Sequence, residues 1–241
     1  MTEHIVSWSI SRLKDFERCP LAAKLKYVDK IPEPERPLPP GKTEHANDRG
    51  SRIHDAAEHY VDGTGPFIAE MKHFEPEFKK LRRMYDQKKV ELEGEWAMDT
   101  DWEIAPWKSG WLRLKLDALV HTSKHTAVVI DYKSGRKFGN EVSHAQQLQL
   151  YALVTFLRYP HLEEITAELF YLDVNDITTQ TFTRDQSLRF KRSFDARGRK
   201  MTSATAFPPN ANKFTCQWCL FGPEHSGHCT VGVRKAQVAK A

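Results

Sequence analysis

The sequence has no apolar run near the eighteen or so residues that a membrane helix needs, so we expect no membrane span. Its start, MTEHIVSWSI, lacks the basic residues and apolar stretch of a signal peptide, and we expect a cytoplasmic location. Cysteine is scarce, with four among 241 residues, and in a cytosolic chain this favours a bound metal over disulfides. The net charge of +4 indicates only a mild preference for a polyanionic partner.

The first ninety residues have mainly helical periodicity. The spacing predicts a helix over 8–28, capped by Ser9 and kinked or divided at Pro20. Five prolines then indicate a loop over 31–49. A second helix is predicted over 50–61, with His54 beside its apolar stripe. These elements suit one domain over 1–241, ending in a tail over 231–241.

Alternation with a period of two begins near residue 90 and indicates strands. WLRLKLDALV and AVVIDYK form a predicted antiparallel hairpin, and HAQQLQLYALVTFLRY is a helix apolar enough to be buried against the sheet. Two more strands and a basic helix over 184–200 follow. The predicted fold is therefore α/β, with a mixed central sheet flanked by helices and its core over 90–183.

Acids and a lysine lie at the ends of the two hairpin strands. Because side chains alternate along a strand, Asp131 and Lys133 share one face, and Asp117 on the neighbouring strand can emerge on that same side. A divalent cation relieves the repulsion between neighbouring carboxylates. Such a cation also activates water and polarises phosphate. Each residue alone also has a plain structural interpretation, such as a surface ion pair.

Two helices place further polar groups near these strand ends. Gln147 and Tyr151 are four residues apart, so they share one helical face that can reach the same cleft. His54 is a candidate ligand, although a lone histidine is more often a half-buried structural residue. Glu95 on an earlier strand is a candidate additional carboxylate, for which a solvated strand face is the alternative.

The motifs together resemble the RecB-like branch of the PD-(D/E)XK nuclease superfamily, which includes CRISPR-associated and phage exonucleases. The resemblance rests on Leu116-Asp117, on Asp131-Tyr132-Lys133, on QLQLY, on RGSRIHDAAEHY and on SISRLKDFERCP. It implies a restriction-endonuclease-like core that binds Mg²⁺ or Mn²⁺. The implied metal ligands are His54, Asp117, Asp131 and the Tyr132 carbonyl, and the implied catalytic residues are Asp117, Asp131, Lys133, Gln147 and Tyr151.

The cysteines consist of one near the start of the chain and three near its end, at positions Cys19, Cys216, Cys219 and Cys229. Four thiolates suit a zinc site or an iron–sulfur cluster, which would join the segments 1–30 and 205–230. The resemblance implies a 4Fe-4S cluster of structural role. His225 and His228 between the last two cysteines leave a cysteine–histidine zinc site as the alternative.

The expected function is that of a metal-dependent DNA nuclease, more specifically an exonuclease, of a bacterial, archaeal or phage-encoded kind. It would act in DNA recombination, repair or phage DNA processing, on DNA with a single-stranded region or a free end. The 184–200 segment, with seven basic residues against two acids, would follow the DNA backbone, and Trp107 or Trp111 would stack on bases. The alternative is a non-catalytic nucleic-acid-binding module of a recombination or CRISPR-adaptation complex, with protein partners.

Overall fold

The computed structural model describes residues 3–135 and 137–233, which contain one six-stranded sheet flanked by helices. The strands are β1 Val90–Met98, β2 Ile104–Ala105, β3 Leu112–His121, β4 Thr126–Lys133, β5 Glu164–Tyr171 and β6 Asp176–Thr183. The helices are α1 Ile10–Arg18, α2 Pro20–Tyr27, α3 Ala46–Asp62, α4 Glu75–Asp86, α5 Glu141–Arg158, α6 Arg184–Thr202 and α7 Lys213–Cys216. The sheet order is β2-β1-β3-β4-β5-β6, which confirms the predicted mixed α/β fold.

The β3–β4 hairpin and the helix that follows it organise the centre of the sheet. β3 and β4 are antiparallel, with Ala118 opposite Ile130 and His121 opposite Ala127. β4 and β5 are parallel, because α5 carries the chain back along the sheet between them. Most side chains of α5 from Gln147 to Phe156 are buried, and the helix packs against β5. The prediction of a buried helix here is confirmed.

A hydrophobic core covers one face of the central strands. Ile53, Ala57 and Val61 recur along α3 at helical spacing, and Phe78 and Leu81 do the same on α4. These side chains pack against alternate residues of the strands, namely Ala118, Val120, Ile130, Tyr132 and Phe170. The odd-numbered neighbours in β3 and β4 therefore face the other side of the sheet, toward α5.

The helix boundaries differ in detail from the sequence-based ones. The predicted 8–28 helix is two helices, because Cys19 is extended and Pro20 opens the second. The Ser9 hydroxyl caps α1 by accepting from the backbone N–H of Arg12 at 3.3 Å. α3 begins at Ala46 rather than at residue 50, so the loop predicted over 31–49 is shorter by four residues.

The chain divides into two compact units, and helix α6 is shared between them. The described part of one unit lies within 38–194 and contains the sheet. The described part of the other lies within 3–37 and 195–233, and it has a small core that includes Cys19, Leu25, Phe221 and Cys229. Most of the predicted tail, 231–241, lies outside the described residues. Across 3–135 and 137–233, every helix is too short or too polar to cross a membrane.

Candidate metal and catalytic site

Three neighbouring strands place one acid each at a common position of the sheet. In the β1–β3 pair, Leu92 is opposite Ala118 and Gly94 is opposite Leu116, so Glu93 lies opposite Asp117. In the β3–β4 pair, Ala118 is opposite Ile130, so the next position sets Asp117 opposite Asp131. Directly opposed residues of antiparallel strands point to the same face. Asp117 therefore sits between two other carboxylates.

Asp117 is buried, with 7% of its surface exposed, and both of its oxygens have partners. Oδ1 lies 2.7 Å from Nδ1 of His54, which α3 presents from the neighbouring layer. Oδ2 accepts a 2.5 Å hydrogen bond from the backbone N–H of Tyr132. The pairing of β3 with β4 ends next to this bond, at Ala118 and Ile130. The Asp117 side chain is thus held at the point where these two strands separate.

Glu93 completes a group of three side chains that can share one cation. Ligand atoms of His54, Glu93 and Asp117 all lie within 4.8 Å of one another. The Glu93 backbone has φ +42°, a left-handed conformation that is costly for a residue other than glycine. Glu95, the additional carboxylate expected from the sequence, instead pairs with Lys115 at 2.8 Å on an exposed part of the sheet.

Asp131 belongs to a second polar group, beside the first. Its Oδ1 accepts hydrogen bonds of 3.0 Å from the Gln147 amide and of 3.0 Å from the Tyr151 hydroxyl. Its Oδ2 forms an ion pair with the Lys133 ammonium, of which 22% of the side chain is exposed. The structure thus brings together Asp131, Lys133, Gln147 and Tyr151. The backbone N–H of Tyr132 donates to Asp117, and the Tyr132 ring packs in the hydrophobic core.

The electrostatics of the site disfavour negative charge. Burial and the charge of Asp131 raise the pKa of Asp117. Burial and the charge of Asp117 raise the pKa of Glu93 to about 7. Burial alone would lower the pKa of His54, but the hydrogen bond with Asp117 and the nearby carboxylates outweigh it, and the pKa is raised. A divalent cation would relieve this repulsion, so the donor set fits a hard metal ion.

The raised pKa of Glu93 predicts how the stability of the metal-free protein depends on pH. Because the unfolded pKa is 4.5 and the folded pKa is about 7, folding favours the protonated form. The contribution of protonated Glu93 to folding stability is fully present below about pH 4.5 and is lost as the pH rises through about 7. After allowance for solvent screening, we expect Glu93→Gln to stabilise the metal-free protein by roughly 1–2 kcal/mol at pH 8 and little at pH 5.

Thermal unfolding in EDTA at pH 5 and pH 8 measures this difference. Glu95→Gln is the matched control, since Glu95 lies on the same strand and pairs with an exposed lysine. We expect Mn²⁺ to stabilise the parent protein at pH 8, because a cation favours ionised carboxylates. If the stability difference between Glu93→Gln and the parent were the same at both pH values, the pKa of Glu93 would not be raised by folding.

The four cysteines line one pocket in the unit formed by the chain ends, and none is in a disulfide. Cys19 and Cys229 are buried, while Cys216 and Cys219 are half-buried. The Cys19 sulfur accepts from the backbone N–H of Asn210 at 3.4 Å. Burial raises the pKa of the Cys219 thiol, and the proximity of Cys19 and Cys229 adds to this shift. Four cysteines that line one pocket have the donor chemistry of a metal centre.

Two expectations about the DNA-binding surface need revision. The Arg184 guanidinium is engaged within the protein: it donates to the backbone oxygens of Phe156, Tyr159 and Leu162, which caps the end of α5. Arg197 and Arg199 form ion pairs with Glu17 and Asp195. Trp111 is buried against Trp102, with ring centroids 6.0 Å apart, and so cannot stack on a base. Trp107 is half-buried beneath Arg113.

A family model described as the PD-(D/E)XK nuclease superfamily matches residues 7–223. Among solved structures, the protein SSO0001 aligns over 97% of this chain and 91% of its own, with 13% identity and a TM-score of 0.47. No curated protein sequence matches the chain.

Two solved exonucleases align over 83% of the chain. An alkaline exonuclease from Laribacter hongkongensis is covered to 88%, with 13% identity and a TM-score of 0.33. A phage-related exonuclease from Haemophilus somnus is covered to 94%, with 10% identity and a TM-score of 0.33. The family match spans most of the chain and includes every candidate residue of the carboxylate site.

Proposed function

Because the chain belongs to the PD-(D/E)XK nuclease superfamily, we propose that it is a DNA nuclease that depends on Mg²⁺ or Mn²⁺ and degrades DNA from an end. The observation that carries this proposal is the convergence of His54, Glu93 and Asp117 within 4.8 Å, beside the Asp131–Lys133 ion pair. A module that only binds DNA has no need to gather three carboxylates at one point, two of them buried, because each buried charge costs desolvation free energy.

The metal would be held by His54, Glu93 and Asp117, with Asp131 and the Tyr132 carbonyl as further predicted ligands. When bound, such a cation lowers the pKa of water and polarises a phosphate. Asp117 is fixed by the Tyr132 backbone N–H, and its other oxygen is available when His54 turns toward the cation. Glu93 has a ligand atom within 4.8 Å of those of His54 and Asp117, so it is placed to share the same cation.

Lys133 supplies the positive charge next to the reacting phosphate. Its ammonium is partly exposed and is held by Asp131, which the Gln147 amide and the Tyr151 hydroxyl orient in turn. We assign Lys133 the role of orienting the attacking water and stabilising negative charge that develops on the phosphate. Gln147 and Tyr151 are positioning residues, because they act on the phosphate only through Asp131.

We propose DNA with a free end or a single-stranded region as the substrate, in recombination, repair or phage DNA processing in the cytoplasm. The partly exposed side chain of Lys133 supports access by a strand end.

The test is digestion of end-labelled linear and circular DNA, single- and double-stranded, with Mg²⁺, with Mn²⁺ and with EDTA. We expect linear substrates to be shortened from an end only when the metal is present. Binding without cleavage under every metal condition would instead favour the non-catalytic module. Cleavage of circular DNA would show an endonuclease.

We further propose that Cys19, Cys216, Cys219 and Cys229 hold a 4Fe-4S cluster, with structural zinc as the alternative. Their arrangement around one pocket supports a metal centre of either kind. We propose a structural role, because the centre would join the two chain ends within one unit and its four protein ligands leave no position for a substrate.

We expect protein purified without oxygen to be brown, with absorbance near 400 nm and about four iron atoms per chain. Cys216→Ser should remove most of this absorbance and lower the melting temperature, because the pocket loses a ligand. Thr215→Ser, a change to a neighbouring residue of the same pocket, is the control and should retain the colour. A colourless protein with one zinc per chain would contradict the cluster and support the alternative.

A further inference from the structure

A tight turn that precedes α5 exposes a large apolar side chain. The Lys137 carbonyl accepts from the Asn140 N–H at 3.3 Å, and Gly139 has φ +85°. These features define a type II turn, which requires a glycine or asparagine at its third position. Phe138 occupies the second position and is 83% exposed. Val142, in the first turn of α5, is also exposed, at 74%.

The backbone on both sides of Phe138 is held in place. The Lys137 ammonium lies 2.5 Å from Asp176 and 5.4 Å from the centre of the Tyr171 ring. The Gly139 N–H donates to Glu141 at 2.9 Å. The anchored turn therefore keeps Phe138 exposed, although burial of its aromatic ring would be favourable.

This turn adjoins the candidate catalytic residues. Tyr171 pairs with Lys133 across the β4–β5 ladder, and its hydroxyl lies 2.8 Å from Nδ1 of His144. His144 is one turn before Gln147 on α5, so it belongs to the same helical stripe as the residues that orient Asp131. The turn that carries Phe138 is thus tied, through Lys137 and Tyr171, to the strand end that carries Lys133.

We propose that Phe138 stacks on an unpaired base of the strand whose phosphate occupies the carboxylate site. This inference rests on the proposed function and adds that the substrate is single-stranded next to the scissile phosphate. Because Lys137 lies over the Tyr171 ring and Tyr171 pairs with Lys133, a strand whose phosphate lies beside Lys133 would have its neighbouring bases near this turn. Inside a duplex each base face is covered by its neighbours, so only an unpaired or terminal base offers a free face.

The test compares Phe138→Ala and Phe138→Trp with the parent protein in EDTA, which prevents cleavage during binding. The probes are a single-stranded oligonucleotide containing 2-aminopurine and a blunt duplex of the same sequence. We expect Phe138→Ala to bind the single strand about five- to tenfold more weakly and to lose quenching of 2-aminopurine. Phe138→Trp should restore both, and duplex affinity should change less than about twofold.

Ile104→Ala is the matched control, because Ile104 is an exposed apolar residue on the edge strand β2. It should leave both affinities unchanged. An unchanged single-strand affinity for Phe138→Ala, or an equal loss on both probes, would overturn the inference.

Cleavage with Mg²⁺ or Mn²⁺ separates this inference from the proposed function. If the parent protein cleaves and Phe138→Ala binds as the parent does, the stacking role fails and the nuclease stands. If the parent cleaves neither substrate yet shows Phe138-dependent quenching, the hydrolytic function fails and the stacking role stands.

Discussion

Lys133→Ala is expected to slow DNA cleavage by about 100- to 10,000-fold while the protein remains folded. The reason is geometric: the Lys133 ammonium contacts Asp131 and is the lysine that the strand β4 presents at the carboxylate site. Its loss removes the charge that would face the reacting phosphate. Asp131 keeps its hydrogen bonds from Gln147 and Tyr151, so the local structure should persist.

Single-turnover cleavage of a labelled linear substrate measures this effect, with thermal unfolding to show that the fold is retained. Lys133→Arg should recover part of the rate, because it keeps the charge but not the shape of the ammonium. Lys79→Ala is the control, since Lys79 is an exposed lysine on α4 paired with Glu75. A Lys133→Ala protein that cleaves at the parent rate would remove Lys133 from the mechanism.

The arrangement of the central strands was predictable because it depends on short-range patterns. Alternation in WLRLKLDALV and AVVIDYK fixes which side chains share a face, and the short turn between them makes the two strands neighbours. These two facts are enough to expect Asp117 and Asp131 on one side of the sheet. The helix containing Gln147 and Tyr151 follows from its length and its apolar content.

The third carboxylate was not predictable in the same way. β1 pairs with β3 across a connection that contains β2 and a 3-10 turn, so no tight hairpin sets their register. Glu91, Glu93 and Glu95 alternate identically along the strand, and a shift of two residues would exchange their roles. The left-handed backbone at Glu93 also has no signal in the sequence, because glycine occupies the next position rather than this one.

The basic helix shows why a charge pattern alone does not identify a binding surface. Arg184 looks like the first residue of a phosphate-binding run, but the end of α5 leaves carbonyl groups without helical partners, and Arg184 satisfies them. Arg197 is likewise engaged with Glu17, which is far away in sequence. Such partners come from tertiary structure, so sequence reasoning overestimates the number of basic residues available to DNA.

The most direct test of the metal site is a comparison of Glu93→Gln with Glu95→Gln. Both changes replace a carboxylate by an amide of the same size on strand β1. Glu93 has a ligand atom within 4.8 Å of those of His54 and Asp117, whereas Glu95 pairs with Lys115. Loss of an outer hydrogen-bonding partner typically costs 10–100-fold in metal affinity, and loss of a direct ligand should cost at least as much.

We therefore expect Glu93→Gln to weaken Mn²⁺ binding and to slow cleavage by at least about 100-fold, while Glu95→Gln changes either by less than about threefold. Calorimetric titration with Mn²⁺ measures the affinity without relying on catalysis. Because Glu93→Gln also removes a charge that burial and Asp117 disfavour, the metal-free variant should be no less stable than the parent at pH 8. A defective variant that is at least as stable as the parent would assign the loss to the missing ligand rather than to unfolding. Equal effects of the two substitutions would instead place the cation elsewhere on this sheet.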